Sequence, residues 1–600
     1  MLQPSNRLTL IDAMRPPPGY GFGEAMAVTF TLDLRALLAA PAAFVFGQAG
    51  ADVQSDDQTA EPIELLHAIR SHSDHITVFC QAGEIGLPPS KRVFAFLEQS
   101  VVPVTAPRGG VVHPKIWVLR YESISDPGVS TLRVLCSSRN LTFDASWDTL
   151  LRLDQTDSPS GCDLTPLVAL FDGLTERATS PISEAHAARV NRLGMMLQAA
   201  KFARPPGTDD LRFHVMGFDD PEPLLPSGAD RSLIISPFVS NGFFTRIHSG
   251  GVSELVSRPE SLDQLEPAVR EAIGSIYAFD DGSNPDLTDG EDSLSFGDPG
   301  RPLRGLHAKV FAFETGNRAA VFVGSANATG AAFRNNVEVL VEMTGPKTTL
   351  GIDRLCGGTD DEVGLRALFQ TYMGGSVAVD PDDSTLDGAR RRLAQLVLDG
   401  FVAETTSGWE VTYKSDSLVE LPDGITATCW PLSNAGNLQP VDSGKSLCVT
   451  FQTTLESMSG FLAMKLTRDE TEATTGFVLP VTLHGVPADR DRMLLKALVG
   501  NAERFFRYLL SLLDENPAGM ELVDAIDQMT SDTGHSDRQS GFYLPVLENL
   551  LRSLRRDPAK LISVHPLVMD LHGDDALPEG FMELWAPIHQ IAVEAMRAET

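Results

Sequence analysis

A pattern of polar residues occurs twice along the chain, in the same order. His113 and Lys115 sit two apart in VVHPKIWVLRY, and His307 and Lys309 sit two apart in GLHAKVFAFE. Further on, Ser138 and Asn140 in TLRVLCSSRNLT match Ser325 and Asn327 in AAVFVGSANATG. A carboxylate follows each set: Asp148 in SWDTLLRL and Glu338 in NNVEVLVEM. One such match would be weak. Two ordered copies are an internal repeat, and a repeat constrains the architecture before any single element is assigned.

The segments around the motifs alternate between strand-like and helix-like runs, the signature of an α/β sheet. In the first half, AMAVTFTLDL reads as a strand and ALLAAPAAFVF as a buried helix. PIELLHAIRSHSDHITVFCQAG reads as helix then strand, KRVFAFLEQS as a helical piece, and ISEAHAARVNRLGMMLQAAKFA as a closing helix. RPPGTDD then serves as a linker. The second half repeats the plan with SLIISPFV, NGFFTRIHSGG and VSELVSRPE. Beyond residue 375 the character changes. Ser384 and Asp387 open a helix in the manner of a capping box. WEVTYKSDSLVEL through TGFVLPVTLHGVP alternates as an antiparallel sheet does, and three stretches with helical apolar spacing follow. The expected divisions are residues 1–203, 208–375 and 376–600, which suits a chain of 600 residues.

Forty-eight basic residues against 80 acidic ones give a formal charge of −32. Non-specific nucleic-acid binding draws on phosphate neutralisation, so any such contact here must use locally concentrated cations. The six cysteines show no CxxC spacing, so neither a zinc site nor a disulfide framework is expected. Together with an N-terminus unlike a signal peptide and no apolar run near 20 residues, they point to a cytoplasmic protein with no membrane partner.

Alternate residues of a strand share a face, about 7 Å apart. Each His would therefore project with its Lys, and each Ser with its Asn. Imidazole, ammonium, hydroxyl and amide facing one cleft suit a phosphate: the Lys supplies charge, the hydroxyl and amide orient oxygens, and the His attacks phosphorus or gives a proton. Glu338 is expected to hold the imidazole through its second nitrogen, as a triad carboxylate does. No cofactor or metal is called for. Arg139, Arg258 and Arg334 are candidates to line a phosphate channel.

These paired patterns resemble the phospholipase D superfamily, whose signature is His-x-Lys followed by Gly-Ser-x-Asn. The resemblance covers roughly residues 25–350. It implies two mixed-sheet sandwiched repeats forming a pseudo-dimer, with the 376–600 segment as a β-plus-helical accessory domain outside it. It also implies a phosphohistidine intermediate on one His, with the other protonating the leaving alcohol. We expect His307 to attack and His113 to be the acid. The family's usual Asp after the motif Lys is replaced by Arg120 and Glu314, and Ser137 replaces the first Gly of the second motif.

The activity implied is a metal-independent phosphodiesterase, most simply a nuclease cutting DNA. By analogy with bacterial components of phage-defence or restriction systems, a helicase or other defence protein would be its partner. A phospholipase or phosphatidyl transferase, or a non-catalytic scaffold, are the alternatives. Residues 278–300 hold seven acids and no Lys or Arg. This reads as a solvated loop, and it ends close enough to His307 to lie across the cleft and inhibit it.

Overall fold

The computed structural model describes residues 9–40, 72–279, 305–499 and 546–599, short gaps within them apart. Most of ALLAAPAAFVF, the PIELLHAIR segment and nearly all of the acidic run fall outside the described residues.

The architecture is mixed α/β. The first sheet has six strands in the order Val101–Val104, Ile76–Gln81, Tyr20–Thr29, Ile116–Ser123, Ser130–Ser137, Leu150–Asp154. The first three run parallel and the rest pair antiparallel. Ile76–Gln81 is buried at every position, which accounts for its unbroken apolar reading: both faces of this sheet are covered. The second sheet has eight strands: Phe369–Thr371, Ser275–Phe279, Glu254–Ser257, Arg231–Ile235, Val310–Thr315, Arg318–Gly324, Glu338–Pro346 and Asp210–Met216. Its Arg231–Ile235 strand again joins parallel neighbours on one side to an antiparallel run on the other, and the edge strand Phe369–Thr371 pairs antiparallel. Met26, Phe79 and Val118 of the first sheet share one core with Leu233, Val310 and Val341 of the second.

Helix Glu184–Ala199 covers part of this core. Ser183 caps it by accepting from the His186 amide at 3.2 Å, and Val190, Leu193 and Leu197 form its buried stripe. The expected helix in KRVFAFLEQS is instead a run of 3-10 turns, Arg92–Leu97.

The C-terminal part holds two four-stranded sheets. One comprises Ser446–Thr453, Gly408–Leu418, Leu398–Thr405 and Thr482–His484; the other comprises Gln439–Val441, Ile425–Pro431, Phe461–Arg468 and Thr474–Pro480. They face each other across a core with Tyr413, Phe451, Leu462 and Phe477, a sandwich. This unit is clamped to the first sheet. Arg390 pairs with Glu84 at 2.7 Å, Arg490 reaches both oxygens of Glu98 at 2.8 Å, and the Val478 amide donates to the Ile85 carbonyl at 3.0 Å. Helices Arg490–Val499, Pro558–His572 and Phe581–Glu599 add Leu494, Leu561 and Trp585 to the core behind Trp117 and Leu119. No helix among the described residues is long and apolar enough to cross a membrane.

Candidate active site

The histidine segments are not regular strand. Both His-x-Lys triplets lie just before a strand begins, at Ile116 and at Val310, and both Ser-x-Asn triplets lie just after one ends, at Ser137 and at Gly324. The backbone explains why. The His113 amide donates to the Val337 carbonyl at 2.9 Å, and the His307 amide donates to the Trp147 carbonyl at 2.8 Å. Val112 bridges Val337, and Gly305–Leu306 pairs in parallel with Ser146–Trp147. Each histidine segment thus leaves its own sheet to pair with the segment before the other repeat's carboxylate.

Hydrogen bonds match the two halves residue by residue. Ser138 donates its amide to the Thr149 carbonyl and accepts from the Thr149 amide, both at 2.9 Å; Ser325 does the same with Val339 at 2.9 and 3.0 Å. Asp148 is therefore the counterpart of Glu338. Thr29 accepts from the Leu141 amide at 3.0 Å, as Ser236 does from Ala328 at 2.9 Å. Gln81 accepts from the Val112 amide at 2.7 Å, and Arg258 at the matching position donates to the Leu306 carbonyl at 2.6 and 3.0 Å. Thr29, Gln81 and Ser236 were not singled out in the sequence. Each sits in or at the end of an apolar run, and only the strand pairing reveals its task.

The side chains then depart from symmetry. Glu338, with no exposed surface, lies 2.9 Å from His113 Nδ1. The expectation that it serves the imidazole of its own repeat is corrected: the crossed backbone pairing delivers it to the other half. Its carboxylate also accepts from Ser325 Oγ and, at 3.2 Å, from Asn336 Nδ2. Burial alone would raise its pKa, but His113, Lys115 and Ser325 together hold it below the usual carboxylate range. An ionised Glu338 requires His113 to donate through Nδ1, leaving the lone pair on Nε2.

His307 is held differently. Lys309 Nζ lies 3.2 Å from His307 Nδ1 and donates to the His307 carbonyl at 2.7 Å. An ammonium can only donate, so Nδ1 accepts and the ring hydrogen resides on Nε2. Burial, then the charges of Lys309, Lys115, His113 and Arg258, push the His307 pKa well below its ordinary value. His113 falls to about 4, with burial the main cause and Lys115 and Lys309 contributing. Lys115, buried and donating to the His113 carbonyl at 2.6 Å, is pushed well below the ammonium range by burial and by Lys309. His113, Lys115 and His307, each depressed, and Lys309, which contributes to all three shifts, thus form one cluster drawn from both halves.

Asp148 pairs with Arg139 at 3.3 Å, and both are partly exposed. The position of Arg139 between Ser138 and Asn140 is held by Ala326 in the second copy. The amide oxygens of Asn140 and Asn327 are buried and without a partner among the described residues, at matching places in the two halves. Gly324 has φ +152°, and a side chain there would strike the Val339 carbonyl. Ser137 replaces it by building its own turn, its Oγ accepting from the Arg139 amide at 3.0 Å. Arg120 and Glu314 belong elsewhere. Arg120 pairs with Glu24 and Glu122, while Glu314 binds Lys347 at 2.7 Å and the Ile352 amide at 2.8 Å. Arg334 is an exposed residue at the end of helix Gly330–Arg334.

No family model and no curated protein matches the chain. Among solved structures, it is similar to a mutant of yeast tyrosyl-DNA phosphodiesterase. The identity is 12%, over 60% of this chain and 94% of that one, with a TM-score of 0.32. It is also similar to the polyphosphate kinase of Porphyromonas gingivalis at 14% identity, covering 64% of this chain and half of the kinase, with a TM-score of 0.26.

Proposed function

We propose that the chain is a phosphodiesterase acting through a phosphohistidine, most simply a nuclease cleaving DNA. The observation that carries this reading is the unlike partner at Nδ1 of the two histidines, a carboxylate for His113 and a lysine for His307. His113, its Nδ1–H given to Glu338, presents a lone pair at Nε2; His307, accepting from Lys309, presents a hydrogen at Nε2. This reading inverts the assignment favoured from sequence. His113 Nε2 attacks phosphorus and the leaving oxygen takes a proton from His307. Water then attacks the phosphohistidine, returns a proton to His307 and releases His113.

The depressed pKa of His307 belongs to the site without an anion. A phosphodiester brings a negative charge that offsets the lysines, so the acid gains its proton as substrate binds. Lys309 is then repelled from Nδ1 and turns to a phosphate oxygen, with Lys115 opposite. The Nδ2 groups of Asn140 and Asn327 are the donors these side chains can offer the other oxygens; their partnerless Oδ1 atoms can only accept. The lysines supply charge that a metal ion would otherwise provide, so the step calls for none.

The clamp between the sandwich and the first sheet attaches the C-terminal unit to that half. In a chain of charge −32 this unit is a fitting place for a partner, such as a helicase of a defence system, to deliver DNA. The test is incubation with plasmid, single-stranded DNA, RNA and phospholipid vesicles in chelator, with His113→Ala and His307→Ala alongside. Nucleic-acid cleavage that survives the chelator and is lost in both variants supports the reading. Headgroup release from vesicles alone points to a phospholipase or phosphatidyl transferase, and no turnover of any substrate to a non-catalytic scaffold.

A further inference from the structure

The two halves of the site differ at one more pair of matched positions. Thr29 and Ser236 are equivalent, so Thr31 in the first half corresponds to Phe238 in the second. Each residue's carbonyl accepts from the hydroxyl two residues earlier, at 2.9 and 2.7 Å. Gln81 corresponds to Arg258. The first half therefore carries a hydroxyl and a neutral amide where the second carries an aromatic ring and a guanidinium.

That pair is arranged as a stack. The Arg258 guanidinium lies over the Phe238 ring, 5.2 Å from its centroid, while its nitrogens hold the Leu306 carbonyl. Phe238 is thus one guanidinium's width from the peptide that carries His307. Val239 bridges Ala328, which brings the Phe238 backbone next to that of Asn327. Phe238 is 41% exposed as a residue, although both chain neighbours are buried. An aromatic held at the rim between Arg258 and Asn327, with surface open to solvent, offers a planar ring something to stack on.

We propose that Phe238, backed by Arg258, is the subsite for a nucleobase of the departing strand. The inference rests on the phosphodiesterase reading above, in which the leaving oxygen faces His307 and so this half of the cleft. It narrows the substrate to a nucleic acid with unpaired bases near the cut, because a ring inside a duplex has no free face. A lipid headgroup, which has no such ring, gains nothing from Phe238.

Two single-stranded oligodeoxynucleotides of one length test this, one with bases throughout and one abasic throughout. Stacking on a protein aromatic is worth about 5- to 150-fold per base. The wild type should prefer the base-bearing strand by a factor in that range in kcat/KM. Phe238→Ala should bring the ratio near one, and Phe238→Trp should keep it. The same ratio should appear in equilibrium binding to His113→Ala, which reads the subsite without turnover. Equal cleavage of both strands by the wild type, or a wild-type ratio kept in Phe238→Ala, overturns the base subsite and spares the phosphodiesterase. A binding preference without any cleavage by the wild type does the reverse. Neither binding nor cleavage sinks both.

Discussion

Replacing Glu338 by glutamine keeps the shape of the side chain and removes its charge. In the transition state His113 becomes a substituted, positively charged imidazole whose Nδ1–H points at that carboxylate, 2.9 Å away. With an effective dielectric constant of about 20, the attraction between unit charges at this distance is about 6 kcal/mol. The glutamine oxygen still accepts the hydrogen bond and recovers part of this. A net loss of about 3–5 kcal/mol remains, or about 10²–10⁴-fold in kcat. Asp148→Asn should cost far less, since Asp148 is partly exposed and spends its charge on Arg139. The assay is cleavage of an end-labelled single-stranded oligonucleotide under single-turnover conditions, with thermal melting to confirm that both variants fold. A folded Glu338→Gln within about threefold of wild type, or a larger loss in Asp148→Asn, would refute the crossed dyad.

Other outcomes follow from the same geometry. Activity needs His113 neutral and His307 protonated, and both pKa values lie below the ordinary imidazole value, so kcat/KM should peak on the acid side and fall across about pH 6 to 8. A flat or rising kcat/KM over that interval contradicts the assignment, and kcat should fall at higher pH than kcat/KM. Lys115 is buried against Lys309, so Lys115→Met should abolish cleavage yet stabilise the fold by about 1–2 kcal/mol in urea titration; a destabilised variant would show the lysine to be structural. Arg490→Met leaves the buried Glu98 carboxylate unpaired and should cost about 3–5 kcal/mol in the same titration, whereas a change below about 1 kcal/mol would show the clamp to be incidental.

The sequence made the repeat legible because spacing along the chain is local. His113-x-Lys115 and Ser325-x-Asn327 needed no third dimension to be seen, and the alternation of strand-like and helix-like runs indicated an α/β sheet. Which carboxylate meets which histidine was not legible. Glu338 lies 31 residues after His307 and 225 after His113, and only the crossed bridges at Val112–Val337 and Leu306–Trp147 decide between them. The same holds for Gln81, Thr29 and Ser236, ordinary polar residues until strand register aligns them with the motifs. In the C-terminal part, alternation foretold strands. The attachment to the first sheet depends on Glu84 and Glu98, whose partners lie 306 and 392 residues away.

Isolating the covalent intermediate tests the central claim most directly. A single-stranded oligonucleotide labelled on the phosphate at the cut is mixed with His307→Ala, the reaction is quenched in alkali, and the labelled peptide is identified. An aryl ester, whose leaving group needs no proton, is run in parallel. The account predicts label on Nε2 of His113 and none in His113→Ala. Label on His307 in the wild type, or turnover by His113→Ala, would contradict it.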